Sequence, residues 1–578
     1  MNKNESNFSN AKLKSDYIDN EIIKAVQKKC NFRVEAGAGS GKTYSLKKVI
    51  DWLRDNQSSN ALDNKKVACI TYTNAAVDVI AERLGKDSFI VPSTIHTFAW
   101  NSIKQYQQSL LSSIEGLVNF NSPIGLSEIK EVTYTLGHRY VKDNILYLGH
   151  DDVLTLFCLL LDNEKFRRLF SGRYSLILID EYQDTYRPII DKFLNYFIET
   201  NSGPRFGFFG DSWQTIYQSN NACGYIKNTE QIEEIKKPAN FRSAPKIVRF
   251  LNNIRPDLPQ DSAIDGFEGE VSVVSCNDYE GERRKEVYFK DDLPIEEISD
   301  LLYGIESLLK RKASEGETVK ILMITHKVLA RQQGYNNLLD ILGDSFRNQE
   351  DSFLLFFMNI VEPIYGALKN QDAVAVSDIL GSGRQLVLLK SDKFEWLRLF
   401  EQLREARSRC VSDVVDVLLA TSLIPCPSEI ERDVARYRKN PNDIYRNDKS
   451  LRQLFDLRYS EFISAIGFLR PESIFSTEHG VKGEEYDNVV FVIGKGWNQY
   501  QFEKYLPMAY GKDSLSAKEM KSYERNRNLF YVCCSRPKKR LVLFVTIPLE
   551  GDFLNFLKSK ISSENIFTYR EYCIYNNL

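Results

Sequence analysis

Nowhere in the 578 residues does an apolar run persist long enough to cross a bilayer, and the opening stretch MNKNESNFSNAKLKSDYIDN lacks the apolar centre of a secretory signal. No membrane partner is expected, the chain is expected in the cytoplasm, and this polar stretch is read as a short disordered lead into the first helix. Clustered cysteines are missing too. Ten are scattered from Cys30 to Cys573, only Cys533 and Cys534 are close neighbours, and neither a zinc spacing nor a disulfide framework emerges. There is no excess of either charge, with 76 Lys and Arg against 78 Asp and Glu and a net charge of -2, so no global basic signal for nucleic acid exists. That balance does not exclude a motor, which can confine positive charge to one channel. No internal repeat or low-complexity linker interrupts the chain. What remains, 43% hydrophobic and 27% charged residues, is typical of a folded soluble protein, and the length points to about three to five units at roughly 100 to 200 residues each.

The densest local signal is VEAGAGSGKTYSL, Val34 to Leu46. NFRVEA before it can form a short buried strand, and TYSLKKVIDWLRD after it places Leu46, Val49, Ile50 and Leu53 on one helical face. Strand, glycine-rich loop and helix are the context of a phosphate cradle. Gly37, Gly39 and Gly41 let the backbone wrap phosphate oxygens, with Ala36, Ala38 and Ser40 between and before them, and the helix N-terminus adds the positive end of its dipole. Lys42 is placed to reach the β and γ phosphates of ATP and Thr43 to offer a hydroxyl to Mg²⁺. Ala36 stands where the usual pattern has its first glycine.

A second segment, YSLILIDEYQDTYR, supplies carboxylates. Leu176 to Ile179 reads as a buried parallel strand that ends in Asp180 and Glu181, at the carboxyl edge where ligands bind. Asp180 is the expected magnesium partner and Glu181 the candidate base for an attacking water. An acid pair after a strand is also a common solvated strand end, and the cradle upstream is what favours the chemical reading.

Taken together, AGAGSGKT and DEYQDT resemble the UvrD/Rep-type superfamily 1 helicases, and further segments match that family in order: ITYTNAAVDVIAERL, STIHTFAW, FFGDSWQTIY, NFRS, STEHGVKGEEYDNVVFV and RNLFYVCCSRPKKRLVLF. The matches are collinear from Ala36 to Arg536, and the segments between them, roughly half the chain, carry none. The resemblance implies an α/β fold of two RecA-like P-loop motor domains with mainly helical insertions. It implies that Gln214 senses the γ-phosphate, that Arg242 and Arg536 stabilise the transferring phosphoryl, that Phe241 packs on adenine and that Glu485 contacts ribose. On the nucleic-acid side it implies contacts from Thr71, Tyr72, Thr73 and Asn74, from His96, Thr97 and Phe98, from Tyr217 and from His479. A lone histidine is more often a packing residue than a ligand, and only motif position raises His96 and His479 above that reading.

Two departures stand out. Ile22 occupies the place of the family's adenine-reading glutamine, with Gln27 displaced, which leaves nucleotide preference open. After Tyr217 the family's Trp and Arg are replaced by Ser219 and Asn220, so a stacking platform is missing unless Tyr217, Trp213 or another aromatic compensates. The motifs divide the chain into a first motor domain over 1–105 and 166–245 around a helical insertion at 106–165, and a second over 246–345 and 471–578 around an all-helical insertion at 346–470. The residues after the last motif are too few to be expected to add a nuclease, and the cysteines suggest no iron-sulfur cluster.

The expected function is ATP-driven translocation and unwinding on single-stranded or partly duplex DNA, 3′ to 5′, with RNA not excluded by contacts that track a backbone. The alternative is a DNA-activated, nucleotide-sensing regulatory subunit. The compact insertions and altered third motif resemble the helicase-like subunit of Gabija-type antiphage systems, which implies an OLD-family partner nuclease.

Overall fold

The computed structural model describes residues 6–577 apart from 57–64, 72–76, 79, 83–88, 118–124, 136–138, 217–220, 228, 324–329, 332, 348, 382–389, 447, 471, 472, 474, 478–482 and 496–499. The chain starts with a helix, α1 (Asn7–Gln27), where the sequence reading placed a disordered lead. Ser6 caps it by accepting from the Ser9 amide, and Ala11, Ser15, Asp19, Ile22 and Ala25 face inward at helical spacing. Then come β1 (Asn31–Ala36), α2 (Lys42–Asp55), β2 (Lys66–Thr71) and β3 (Ile90–Thr94). The first insertion contributes β4 (Glu131–Tyr134), β5 (Tyr140–Lys142) and β6 (Ile145–Leu148), after which β7 (Tyr174–Asp180), β8 (Arg205–Gly210) and β9 (Ile232–Lys237) complete the first motor domain.

Its six-stranded sheet runs β3-β2-β7-β8-β1-β9 with every neighbouring pair parallel. Parallel strands covered on both faces read as continuous apolar runs, which is why YSLILID shows no clean alternation. Alternation survives in where its side chains go. Leu176 and Leu178 join a core with Leu46, Val49 and Ile50 of α2, while Ile177 and Ile179 join a second core with Phe98, Phe157 and Phe206.

Two short strands, β10 (Ala239–Asn240) and β11 (Asp261–Ser262), pair with each other and lead into the second motor domain: β12 (Glu270–Ser275), β13 (Val319–Met323), then β14 (Ile444–Arg446) and β15 (Lys449–Ser450) in its insertion, then β16 (Phe475–Thr477), β17 (Tyr486–Ile493), β18 (Pro537–Val545) and β19 (Ile566–Thr568). The second sheet, β16-β13-β17-β18-β12-β19, is again wholly parallel. One face packs on the helices Pro245–Ile254 and Ala517–Cys534, and the other shares a continuous core with the long insertion, including Phe353, Phe357 and Tyr459.

The insertions differ from the sequence reading. The first is not only helical: β4, β6 and β5 form a three-stranded sheet. Its hairpin is closed by Asp143 and Asn144, both with positive φ (51° and 62°), the two-residue turn that matches strand twist. Among the described residues, the second insertion is helical apart from the small β14–β15 hairpin. The helix Asn336–Leu342, placed by sequence in the second motor domain, belongs with that insertion: Glu461 accepts from the Leu338 amide (3.0 Å) and from Asn337 Nδ2 (2.8 Å). Among the described residues, one helix, Ser352–Lys369, is long and apolar enough to span a bilayer, and one side of it, Phe353, Leu354, Phe357, Val361 and Ile364, packs into the second domain's core.

Candidate active site and nucleic-acid face

β1 runs directly into the glycine loop and α2 begins at Lys42. Gly39 and Gly41 have φ of 73° and 75°, a region costly to any residue with a Cβ, and a Cβ on Gly39 would lie 2.7 Å from Asn240 Oδ1. Gly41 caps α2 without a side chain, so the helix N-terminus faces the loop's concavity. The loop is fastened from the NFRS segment: Phe241 N–H donates to the Gly39 carbonyl (2.8 Å) and Asn240 Nδ2 to the Ala38 carbonyl (3.0 Å). Ser40 Oγ is buried with no hydrogen-bond partner among the described residues, a polar atom that a phosphate oxygen would satisfy. A cavity of about 870 Å³ opens over the loop, lined from one motor domain by Lys42 and Asp180 and from the other by Glu485 and Arg536, with Gln214 and Arg242 between. That volume suits a nucleotide.

β1 and β7 are separated only by β8, so their carboxyl ends stand about 10 Å apart, within reach of a lysine. Lys42 Nζ lies 2.5 Å from Glu181 Oε1 and 3.9 Å from Asp180 Oδ1. Burial pulls the Lys42 pKa down, but the two carboxylates outweigh it and the ammonium is held above its usual range. Burial, reinforced by the Glu181 charge and opposed by Lys42, pushes the Asp180 carboxyl up to about 6. Glu181 has φ 50°, a strained conformation for a non-glycine residue, and Gln183 donates its amide to the carboxylate. Thr43 lines the same cavity as Asp180, and this pair, one hydroxyl and one carboxylate, suits a magnesium ion that takes its other ligands from phosphate and water.

On the opposite wall Arg536, 1% exposed, donates to the carbonyls of Val532 (2.9 Å) and Glu484 (3.2 Å), to Ser535 Oγ (2.9 Å) and to Gln214 Oε1 (3.4 Å). Burial and then the neighbouring Arg242 charge push its pKa down to about 10, a cost that an anion between the guanidiniums would relieve. Arg242 pairs with Glu485 (2.9 Å), which Lys538 also holds (2.8 Å). Phe241 flanks the loop beside Gly41, edge-on to Phe8 of α1 (centroids 6.2 Å).

Sequence reasoning missed Phe8 and Tyr44, both exposed and both lining this cavity. Ile22, where the sequence offers no base-reading amide, is a packing residue. It is fully buried between α1 and the first sheet, and α1 instead presents Phe8, Lys12, Ser15 and Asp16 to the cavity. A lead taken as disordered could not disclose that face.

The nucleic-acid residues are less alike. Tyr72, Thr73, Asn74, Tyr217 and His479 lie outside the described residues. Thr71 and His96 line a second cavity of about 590 Å³ together with Arg139, Asp152 and Thr185. The His96 ring meets that of His150 edge-on at 4.6 Å, and burial, then the His150 charge, push its pKa down. Thr97 serves the helix start: its amide donates to Thr94 Oγ1 (3.4 Å), the N-cap of Ile95–Ile103. Phe98 is 3% exposed and packs against Phe157 (5.9 Å) and Phe170 (6.1 Å), so it is a core residue and cannot stack a base. Trp213, offered by sequence as a substitute platform, is partly buried and its ring is contacted by Arg527 (4.1 Å), Arg255 (5.1 Å) and Tyr531 (5.6 Å).

Residues 19–220, which contain both the cradle and the acid pair, match a family model described as an AAA domain. The chain is 22% identical to the Gabija protein GajB of Bacillus cereus (strain HuB5-5), over 91% of this chain and 94% of that protein. It is 22% identical to a probable DNA helicase II homolog of Mycoplasma capricolum over 92% of this chain and 84% of that protein. Similarity to the ATP-dependent DNA helicase Rep of Escherichia coli K12, at 26% identity, covers 44% of this chain and 46% of that protein.

Proposed function

We propose that this chain, a UvrD/Rep-like superfamily 1 helicase in its motifs and relatives, is an ATP-driven motor that moves 3′ to 5′ along single-stranded DNA by closing and opening the cleft between its motor domains. The observation that carries the reading is the composition of the nucleotide cavity, whose walls come from both domains. A site completed only by closure couples hydrolysis to domain movement. Lys42, held by Glu181 at 2.5 Å, is the group a triphosphate would draw away, and Glu181 Oε1 is then able to accept a proton from water. Arg242 and Arg536 supply fixed positive charge for the oxygens of the transferring group, and Gln214, bonded to Asp211 (2.7 Å) and facing Arg536, links that charge to the first domain. Magnesium held by Thr43 and Asp180 would neutralise phosphate charge when bound.

A second reading is favoured by one comparison. The match to the Gabija protein GajB runs the length of both chains, whereas that to Rep covers less than half of each. In this reading the chain is a DNA-activated, nucleotide-sensing subunit that controls an OLD-family nuclease in antiphage defence. The core position of Phe98 supports it, since it removes a surface on which bases could stack, and two guanidiniums already lie over the partly buried Trp213 ring.

Steady-state hydrolysis of ATP with and without single-stranded DNA separates the readings, followed by strand displacement on duplexes with a 3′ or a 5′ tail. The motor reading expects DNA-stimulated hydrolysis lost in Lys42→Ala, and displacement from the 3′ tail. Stimulated hydrolysis without displacement from either tail favours the regulatory subunit, and hydrolysis indifferent to DNA rejects the motor.

A further inference from the structure

One charged cluster lies outside the roles assigned above. Arg255 ends the helix Pro245–Ile254, which is built into the second domain's core through Ile247, Phe250 and Leu251. Its guanidinium, 2% exposed, nevertheless belongs electrostatically to the first domain. Arg255 Nη2 lies 2.8 Å from Glu35 Oε1, and Nη1 bonds Asp211. Glu35 sits on β1 one residue before the cradle begins, and Asp211 follows β8.

Each carboxylate is tied onward. Glu35 also accepts from the Ser212 amide (3.0 Å), from Ser212 Oγ (2.8 Å) and from the Tyr182 hydroxyl (2.8 Å). Asp211 accepts from Gln214 Nε2 (2.7 Å), whose Oε1 in turn accepts from Arg536 (3.4 Å). Tyr531, 5.4 Å from the same guanidinium, reaches the cradle by accepting from the Ala38 amide (3.3 Å). One buried cation of the second domain therefore bonds two chain segments that run into the cavity, that of Glu35 and the cradle and that of Asp211 and Gln214. A buried charge of this kind keeps its geometry, because losing one partner strands the others without water. A planar guanidinium can bond two carboxylates at fixed angles, which a lysine cannot do.

We propose that Arg255 is a positioning residue that couples the two motor domains: by pairing with Glu35 and Asp211 it sets Gln214 against Arg536 and makes hydrolysis answer to nucleic acid. The proposal rests on the motor reading above. Arg255 is not among the residues that line the nucleotide cavity and acts through Asp211 and Gln214.

The test uses the full chain with Arg255→Lys, Glu35→Gln and the double variant, measuring kcat and KM for ATP with and without single-stranded DNA, alongside thermal unfolding. The expected result is a roughly tenfold or greater fall in DNA-stimulated kcat with KM changed less than about threefold, and a double variant no worse than the poorer single one. Should Arg255→Lys fail to fold, Glu35→Gln decides, since it keeps the volume and the acceptor for Ser212. Wild-type stimulation in the folded variants, or additive losses in the double variant, would overturn the coupling role and leave the motor reading intact. An unstimulated wild type is seen before any substitution and overturns both.

Discussion

The phosphate cradle and the helix Ile95–Ile103, which carries candidate nucleic-acid contacts, both belong to the first domain, yet they are built differently. Around the cradle the functional groups are held by backbone. Gly39 and Gly41 sit in a left-handed region, Phe241 and Asn240 bond to loop carbonyls, and Asp180 stands at a strand end. On the other face the candidate groups are side chains of a short helix, and rotation about that helix decides their fate: His96 faces a cavity while Phe98 enters the core. Motif position thus anticipates placement well where the backbone carries it, and poorly where a helix face must be chosen.

The largest expected effect lies on the backbone-held side. Glu181→Gln keeps size and polarity but removes the proton acceptor, and should lower kcat about 10²- to 10⁴-fold while nucleotide binding persists. A loss under tenfold in stopped-flow or steady-state hydrolysis would move the base elsewhere and erase the contrast with the other face. Next, Phe98→Ala should cost about 3 to 5 kcal/mol of stability in denaturant unfolding, the signature of an emptied core site. If it instead weakens single-stranded DNA binding at unchanged stability, Phe98 is a contact after all and the two faces are alike.

How much was legible follows the same physics. A glycine loop between a buried strand and an amphipathic helix is a local pattern, and so is an apolar run ending in two acids, which is why the cavity's phosphate end could be read from Val34 to Leu46 and Leu176 to Glu181. The hairpin of the first insertion was also local, in KDNI, but its strands are short and were absorbed into helical patterns on either side. Arg255 had no local signal at all. Its partner Glu35 is 220 positions away, and a buried ion pair leaves in sequence only two charges inside apolar segments. Ile22 shows a limit of another kind: sequence could say that the family's adenine-reading amide is replaced, and only the fold shows that the apolar side chain there packs between helix and sheet while α1 turns Phe8 and Lys12 to the cavity.

Trp213→Ala sharpens the comparison at a smaller scale. A base platform loses about 1 to 3 kcal/mol of strand affinity on such truncation. Because guanidiniums of Arg255 and Arg527 already lie over the Trp213 ring, the expected loss in DNA affinity falls below that range, and the effect should appear instead in the coupling of hydrolysis to DNA. Fluorescence anisotropy with a labelled oligonucleotide checks it. An affinity loss within the platform range at unchanged coupling would restore Trp213 to the strand.

The smallest expected effect concerns His96, whose folded pKa is lowered by burial and by the His150 charge, with Asp151 opposing and the usual value near 6.5. In the unfolded chain the ring takes up a proton as pH falls through 6.5, while in the folded chain it resists, so unfolding is favoured progressively below that pH and unaffected above it. His96→Gln should therefore flatten the dependence of unfolding midpoint on pH between about 7 and 5 without changing stability at pH 8. His150, whose Nδ1 shares a 2.6 Å hydrogen bond with the Tyr134 hydroxyl, is the neighbour whose removal in His150→Gln should lessen the downward shift of His96. If single-stranded DNA binds His96 in that cavity, it should also mask the flattening, because a phosphate beside the ring favours the protonated form and offsets the burial that lowers its pKa. An identical pH profile with and without DNA would leave His96 as a packing residue beside His150, and the nucleic-acid face would then have lost both of its described aromatic candidates in the helix Ile95–Ile103.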